Sequence, residues 1–110
     1  MFDFDDFIRS LEEEIKTIAS DTLGSHKDEA ISDSKEFLDE IKTNLRQWTE
    51  ELSNGVLSPA DFKFLVGGKK DLATLHGLKQ AGATLAKIDS FKDALIGKVI
   101  TTAFNAIPSG

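Results

Sequence analysis

The residues whose types could do chemistry are few: His26, His76, the acidic run Asp3, Asp5 and Asp6, the triplet Glu12-Glu13-Glu14, and Gly67-Gly68-Lys69-Lys70. Neither histidine stands in a His-Glu-x-x-His or Glu-x-x-His pattern, the spacing that would put two ligands on one helix face. His26 reads as a solvated residue near a helix start, and His76 as one on the border of a packed face. Asp3, Asp5 and Asp6 alternate with Phe4 and Phe7 and offer oxygen ligands, but the Gly turn and downstream Glu of a calcium loop are missing. Glu12-Glu13-Glu14 falls near a helix N-terminus, where the dipole favours carboxylates without any ligand. No Gly-x-Ser-x-Gly elbow is present for nucleophilic catalysis. Gly67-Gly68-Lys69-Lys70 precedes Asp71-Leu72 and offers backbone N–H groups for an anion nest. It lacks the Gly-x-x-x-x-Gly-Lys-Ser/Thr frame of a nucleotide loop, and reads as a hinge or kink. No catalytic residue, metal ligand or cofactor is assigned, and a non-enzymatic role is expected.

Elements must position whatever function exists, and composition bounds them. At 110 residues the chain reads as a single helical domain over 1–110, long enough to bury a core of its own if folded compactly. It has no Cys, so no disulfide or thiolate metal site is available. Acid at the N-terminus, with no apolar run behind it, does not fit a signal peptide. No stretch approaches the ~18 apolar residues of a membrane span. A soluble, cytoplasmic protein is expected. Residues 1–54 hold 15 Asp or Glu against 6 Lys or Arg, and residues 55–110 hold 4 against 7. The two halves therefore carry −9 and +3. Without a dense basic patch, no nucleic acid partner is expected.

The division of charge coincides with a turn signal at Asn54-Gly55-Val56-Leu57-Ser58-Pro59, and both flanks carry helical patterns. Apolar residues recur at three-and-four spacing through Phe4, Phe7, Leu11, Ile15 and Ile18, and again through Phe37, Ile41, Leu45, Trp48 and Leu52. Between these stretches Gly24 suits a helix C-terminus, and Ser25-x-x-Asp28 suits a capping box. The two apolar stripes differ by ~100° on a helical wheel, which predicts a kink or short turn at Gly24-Ser25. Ser58, Pro59 and Asp61 mark a helix start by cap, fixed φ and dipole. Gly67-Gly68 interrupts that helix, since each Gly costs ~1 kcal/mol relative to Ala in a helix interior. Asp89-Ser90 reads as a weaker boundary before a last apolar stretch.

The expected fold is all-α: an antiparallel helical hairpin of two bent arms forming a four-helix-type bundle, with helices near 3–23, 26–53, 59–87 and 89–107. Small residues along the second arm suggest that it is the inner one, either in the bundle or at a self-association interface. Straight arms would make a rod of ~75 Å, and arms folded at Gly24 and near Ile88 would allow a compact monomer.

Two segments stand out as candidate interaction surfaces. Phe2, Phe4 and Phe7 cluster more densely than one helix stripe requires, either capping the bundle or inserting into a partner. Leu95, Ile96, Val99, Ile100 and Ile107 form one wide apolar face near the C-terminus. This face packs into a core, meets a protein, or lies on a lipid surface. An acidic chain is repelled by anionic lipid, so membrane action is the weaker alternative. The function expected is a helical protein–protein interaction or assembly module, with a protein partner or self-association as a homodimer. A lipid-interacting protein is the first alternative, and a small enzyme or regulator with a bundle-core site the second.

Overall fold

Asp3 starts the first helix, α1 (Phe4–Leu23), by accepting hydrogen bonds from the Asp5 and Asp6 backbone N–H groups. Apolar residues every third or fourth position then bury one face: Phe4, Phe7, Leu11, Ile15, Ala19 and Leu23. In this computed structural model residues 2–107 are described, and among them every regular element is helical. Gly24 ends α1 at φ +47°, a left-handed value that costs an L side chain energy, and its N–H donates to the Ser20 carbonyl. One 3-10 turn, Gly24–His26, leads into α2 (Lys27–Ser53). The capping box expected at Ser25 does not form: the residue before α2 is His26, and it makes no side-chain cap. The turn carries the chain into the helix directly, with the Lys27 N–H donating to the Gly24 carbonyl.

The reversal at Gly24 is complete rather than a bend. The Arg46 guanidinium, late in α2, lies 4.4 Å from the ring of Phe4 at the start of α1, so the two helices run antiparallel. After the turn at Asn54–Leu57 comes α3 (Pro59–Gly67), started as expected by Ser58, whose Oγ accepts from the Asp61 N–H at 3.1 Å. The single helix expected over 59–87 is broken into α3, a 3-10 turn at Lys70–Leu72, and a short α4 (His76–Gln80). Three features break it: the Gly67-Gly68 pair, Leu75 at φ +54°, and Gly82 at φ +90°. The last helix, α5 (Leu85–Ala106), begins earlier than the expected 89. Thr84 caps it by accepting from the Lys87 N–H.

Three long helices pack against one another, with α1 in contact with both α2 and α5. Lys98 of α5 reaches Glu14 of α1 at 3.2 Å, and Ala106 shares a cleft with Asp3 and Asp6, so α1 and α5 are also antiparallel. It follows that α2 and α5 run parallel. The intervening chain, α3 to α4, climbs back along them and packs on both. The first arm, rather than the second, therefore supplies the inner helix. The longest dimension is 44 Å, well short of a rod of unfolded arms.

The core has two parts. The larger runs from Phe4 and Phe7 through Leu11, Ile41 and Leu45 to Phe62, Leu95 and Val99. The smaller lies beside the Gly24 turn and joins Ala19, Leu23, Ala30, Ile88 and Phe91 to Leu75 and Leu78 of the returning chain.

Candidate interaction surface

The Phe-rich N-terminus closes one end of the larger core. Phe4 and Phe7 are buried, Phe2 is half-buried, and the ring of Phe7 lies 6.1 Å from Phe2 and 5.9 Å from Phe4 in tilted arrangements. The Arg46 guanidinium covers Phe4 from outside and stands 4.0 Å from Asp5. Open clefts of about 220 and 170 Å³ flank Phe2, the first lined by Phe4, Arg46 and Glu50 and the second reaching Asp6 and Ala106. On α5, Leu95, Ile96 and Val99 are buried and Ile100 is packed against the core, and Ile107, just past its end, is buried as well. Apart from the half-buried Phe2, the apolar side chains singled out in the sequence are thus packed within the chain's own fold.

A different set of apolar side chains reaches solvent. Phe64 is 80% exposed, Val56 73% and Leu85 71%, with Leu72 and Phe104 partly exposed. The cause at Phe64 is helical phase. Phe62 and Val66 are one turn apart and both fully buried, so they define the inner face of α3. Phe64 follows Phe62 by two residues, ~200° around the helix, and must point outward. One turn away on either side stand Ala60, Gly67 and Gly68, too small to shield an aromatic ring. Phe104 packs 5.8 Å from Phe62, which ties α3 to α5 and leaves Phe64 free of that contact. The sequence presents Phe62, Phe64, Leu65 and Val66 as one apolar run. Counting i, i+4 from the firmly placed start at Pro59 separates the inward pair from the outward Phe64.

The groups weighed for chemistry are dispersed or engaged. Among the described residues no set of three or more His, Asp or Glu is arranged to hold a metal ion. His26 lies half-buried in the Gly24 turn and His76 is exposed at the first position of α4. The Gly67-Gly68 segment ends a helix instead of opening one. The Gly68 and Lys69 N–H groups already donate to the Phe64 and Val66 carbonyls and are not free to cradle an anion. Lys69 lies 5.8 Å from the Trp48 ring, and Lys70 pairs with Asp93 of α5. The hydrogen bond to Asp93 raises the Lys70 pKa above its ordinary 10.5, an effect that desolvation opposes and the charges of Asp93, Asp89 and Asp71 reinforce.

One polar residue missed in the sequence occupies a structural post. Asp33, buried on α2, accepts hydrogen bonds from the Gly77 N–H at 3.1 Å and the Leu78 N–H at 2.9 Å. It caps α4 from a different helix. The residue preceding α4 is Leu75, which has no side-chain acceptor to offer.

Comparison of the chain with protein-family models, curated proteins and solved structures finds no match. Among the described residues no helix is long and apolar enough to cross a membrane.

Proposed function

We propose that this chain is a non-enzymatic helical interaction module of the cytoplasm, which docks onto another protein through the outer face of α3. The observation that carries the reading is the outward Phe64, held on a helix fixed to the bundle by Phe62, Val66 and Phe104. A rigidly presented aromatic loses little conformational freedom on binding, and burying one contributes ~1.5–3 kcal/mol. Phe64 then acts as the anchor, with the exposed Lys63 beside it in the helix. In this reading α3 and α4 stand in the place of a fourth helix, completing a four-helix-type bundle whose broken side is the docking side.

A second copy of the chain is the partner to test first. Light scattering coupled to size exclusion, over a wide range of concentrations, should give a mass that rises toward a homodimer. Phe64→Ser should hold the chain at monomer mass with unchanged helicity. A monomer mass at every concentration in both proteins would dismiss self-association, and equal dimerisation in both would dismiss α3 as the contact. The lipid-surface alternative draws less support, because the apolar face of α5 that it needs is taken up by the core.

A further inference from the structure

The geometry points to the segment Lys69–Ala83 being a latched strap, which opens as a unit from the three long helices when the Asp33 carboxylate lets go. Its backbone hydrogen bonds are local: Leu72 to Lys69, Ala73 to Lys70, Lys79 to Leu75, Ala81 to Gly77, Ala83 to Leu78. Among the described residues, the strap's backbone makes two hydrogen bonds to the long helices. Both end on Asp33.

Three observations make that attachment a latch. The first is burial: Asp33 lies out of water with its two oxygens divided between Gly77 and Leu78, so the N-terminus of α4 has no other acceptor. The second is backbone strain held by packing. Leu75 is the sole non-Gly residue of positive φ among those described, at φ +54° and ψ +48°, while its side chain is buried in the smaller core. Release would let it return to an ordinary conformation. The third is the pair of breaks at the ends, Gly67-Gly68 on one side and Gly82 on the other, where the chain can swing without unwinding α3 or α5.

What the strap covers gives the motion a consequence. Leu75 and Leu78 lie on Ala19, Leu23, Ala30, Ile88 and Phe91, which come from α1, α2 and α5. Opening removes two leucines and bares an apolar cleft between the three helices; from the larger core it withdraws Ala73 alone, and Phe7, Leu11 and Val99 stay packed.

Native-state amide exchange resolves this directly. In the unaltered chain, the amides of Lys79, Ala81 and Ala83 should exchange faster than those in the middle of α1 and α5. Asp33→Asn should speed them by a further tenfold or so while leaving the α1 and α5 amides as they were. The same variant should bind the dye anilinonaphthalene sulfonate at undiminished helicity, reporting the bared cleft. Leu11→Ala, a lesion in the larger core, should by contrast accelerate the slowest amides of α1 and α5. If Asp33→Asn accelerates strap and long-helix amides equally, or accelerates none, the strap is part of one cooperative unit and the inference is overturned. Should Asp33→Asn not fold, the unaltered chain still decides: strap amides as slow as those of α1 would equally overturn it.

Discussion

Gly77 lies so close to Asp33 that a Cβ built on it would stand 2.7 Å from the carboxylate Oδ1. The acceptor cannot retreat, because the same carboxylate holds the N–H groups of Gly77 and Leu78. Gly77→Ala should therefore lower the unfolding free energy by ~1–3 kcal/mol, the range expected for overpacking. Gly97, inside α5, meets nothing within 4 Å at the same construction. Gly97→Ala should raise stability by ~0.5–1 kcal/mol through helix propensity. Urea denaturation with unchanged slopes would read both, and a stabilising Gly77→Ala would contradict the close contact.

The helix starts divide into those with a side-chain cap and one without. Thr84→Ala and Ser58→Ala should each cost ~1 kcal/mol. Ser25→Ala should stay within ~0.5 kcal/mol, since α2 begins without a side-chain cap. Thermal melts followed by circular dichroism would order the three, and a large loss at Ser25 would mean that a capping box forms there after all.

Two phenylalanines on α3 should behave as opposites. Phe62→Ala empties a fully buried site beside Phe104 and should cost ~3–5 kcal/mol. Phe64→Ala removes an exposed ring and should change stability by no more than ~0.5 kcal/mol. Loss of stability at Phe64 comparable to that at Phe62 would show that α3 turns on its axis.

The Lys70–Asp93 pair predicts a weak alkaline dependence. Folding raises the Lys70 pKa, so its contribution is fully present below the ordinary value of 10.5 and is lost as pH rises through the higher folded value. Lys70→Met should flatten that alkaline decline without altering stability curves on the acid side. The pair is exposed, so added salt should shrink the effect. Denaturation midpoints in parallel pH series would check both, and an undiminished alkaline decline in Lys70→Met would assign it to other groups.

Local physics made much of this fold legible. Gly24, Ser58-Pro59 and Gly67-Gly68 act within a turn of their own position, and each marks an observed boundary. The start of α5 has a local signal too, Gly82 followed by Thr84 as an N-cap, but the expected boundary is Asp89-Ser90. That pair lies inside the helix, where Ile88 and Phe91 pack on either side of it. What the sequence could not disclose is long-range. Asp33 resembles any polar residue of an acidic helix until Gly77, far along the chain, is brought against it. Phe2, Phe4, Phe7 and the face of α5 carry the same apolar pattern whether they meet a partner or one another, and only the pairing of α1 with α5 distinguishes the cases.

That pairing also orders assembly in time. The seam between α1 and α2 closes across the three residues Gly24–His26, whereas the seam between α1 and α5 waits for the whole passage from Lys27 to Thr84. The entropy of ring closure grows with the length enclosed, so the α1–α2 hairpin is the natural nucleus and α5 the late arrival. Lesions at Ile15 or Leu38 should then slow refolding. Lesions at Phe91 or Ile96 should chiefly hasten unfolding, so that the grip of α5 sets the lifetime of the folded chain.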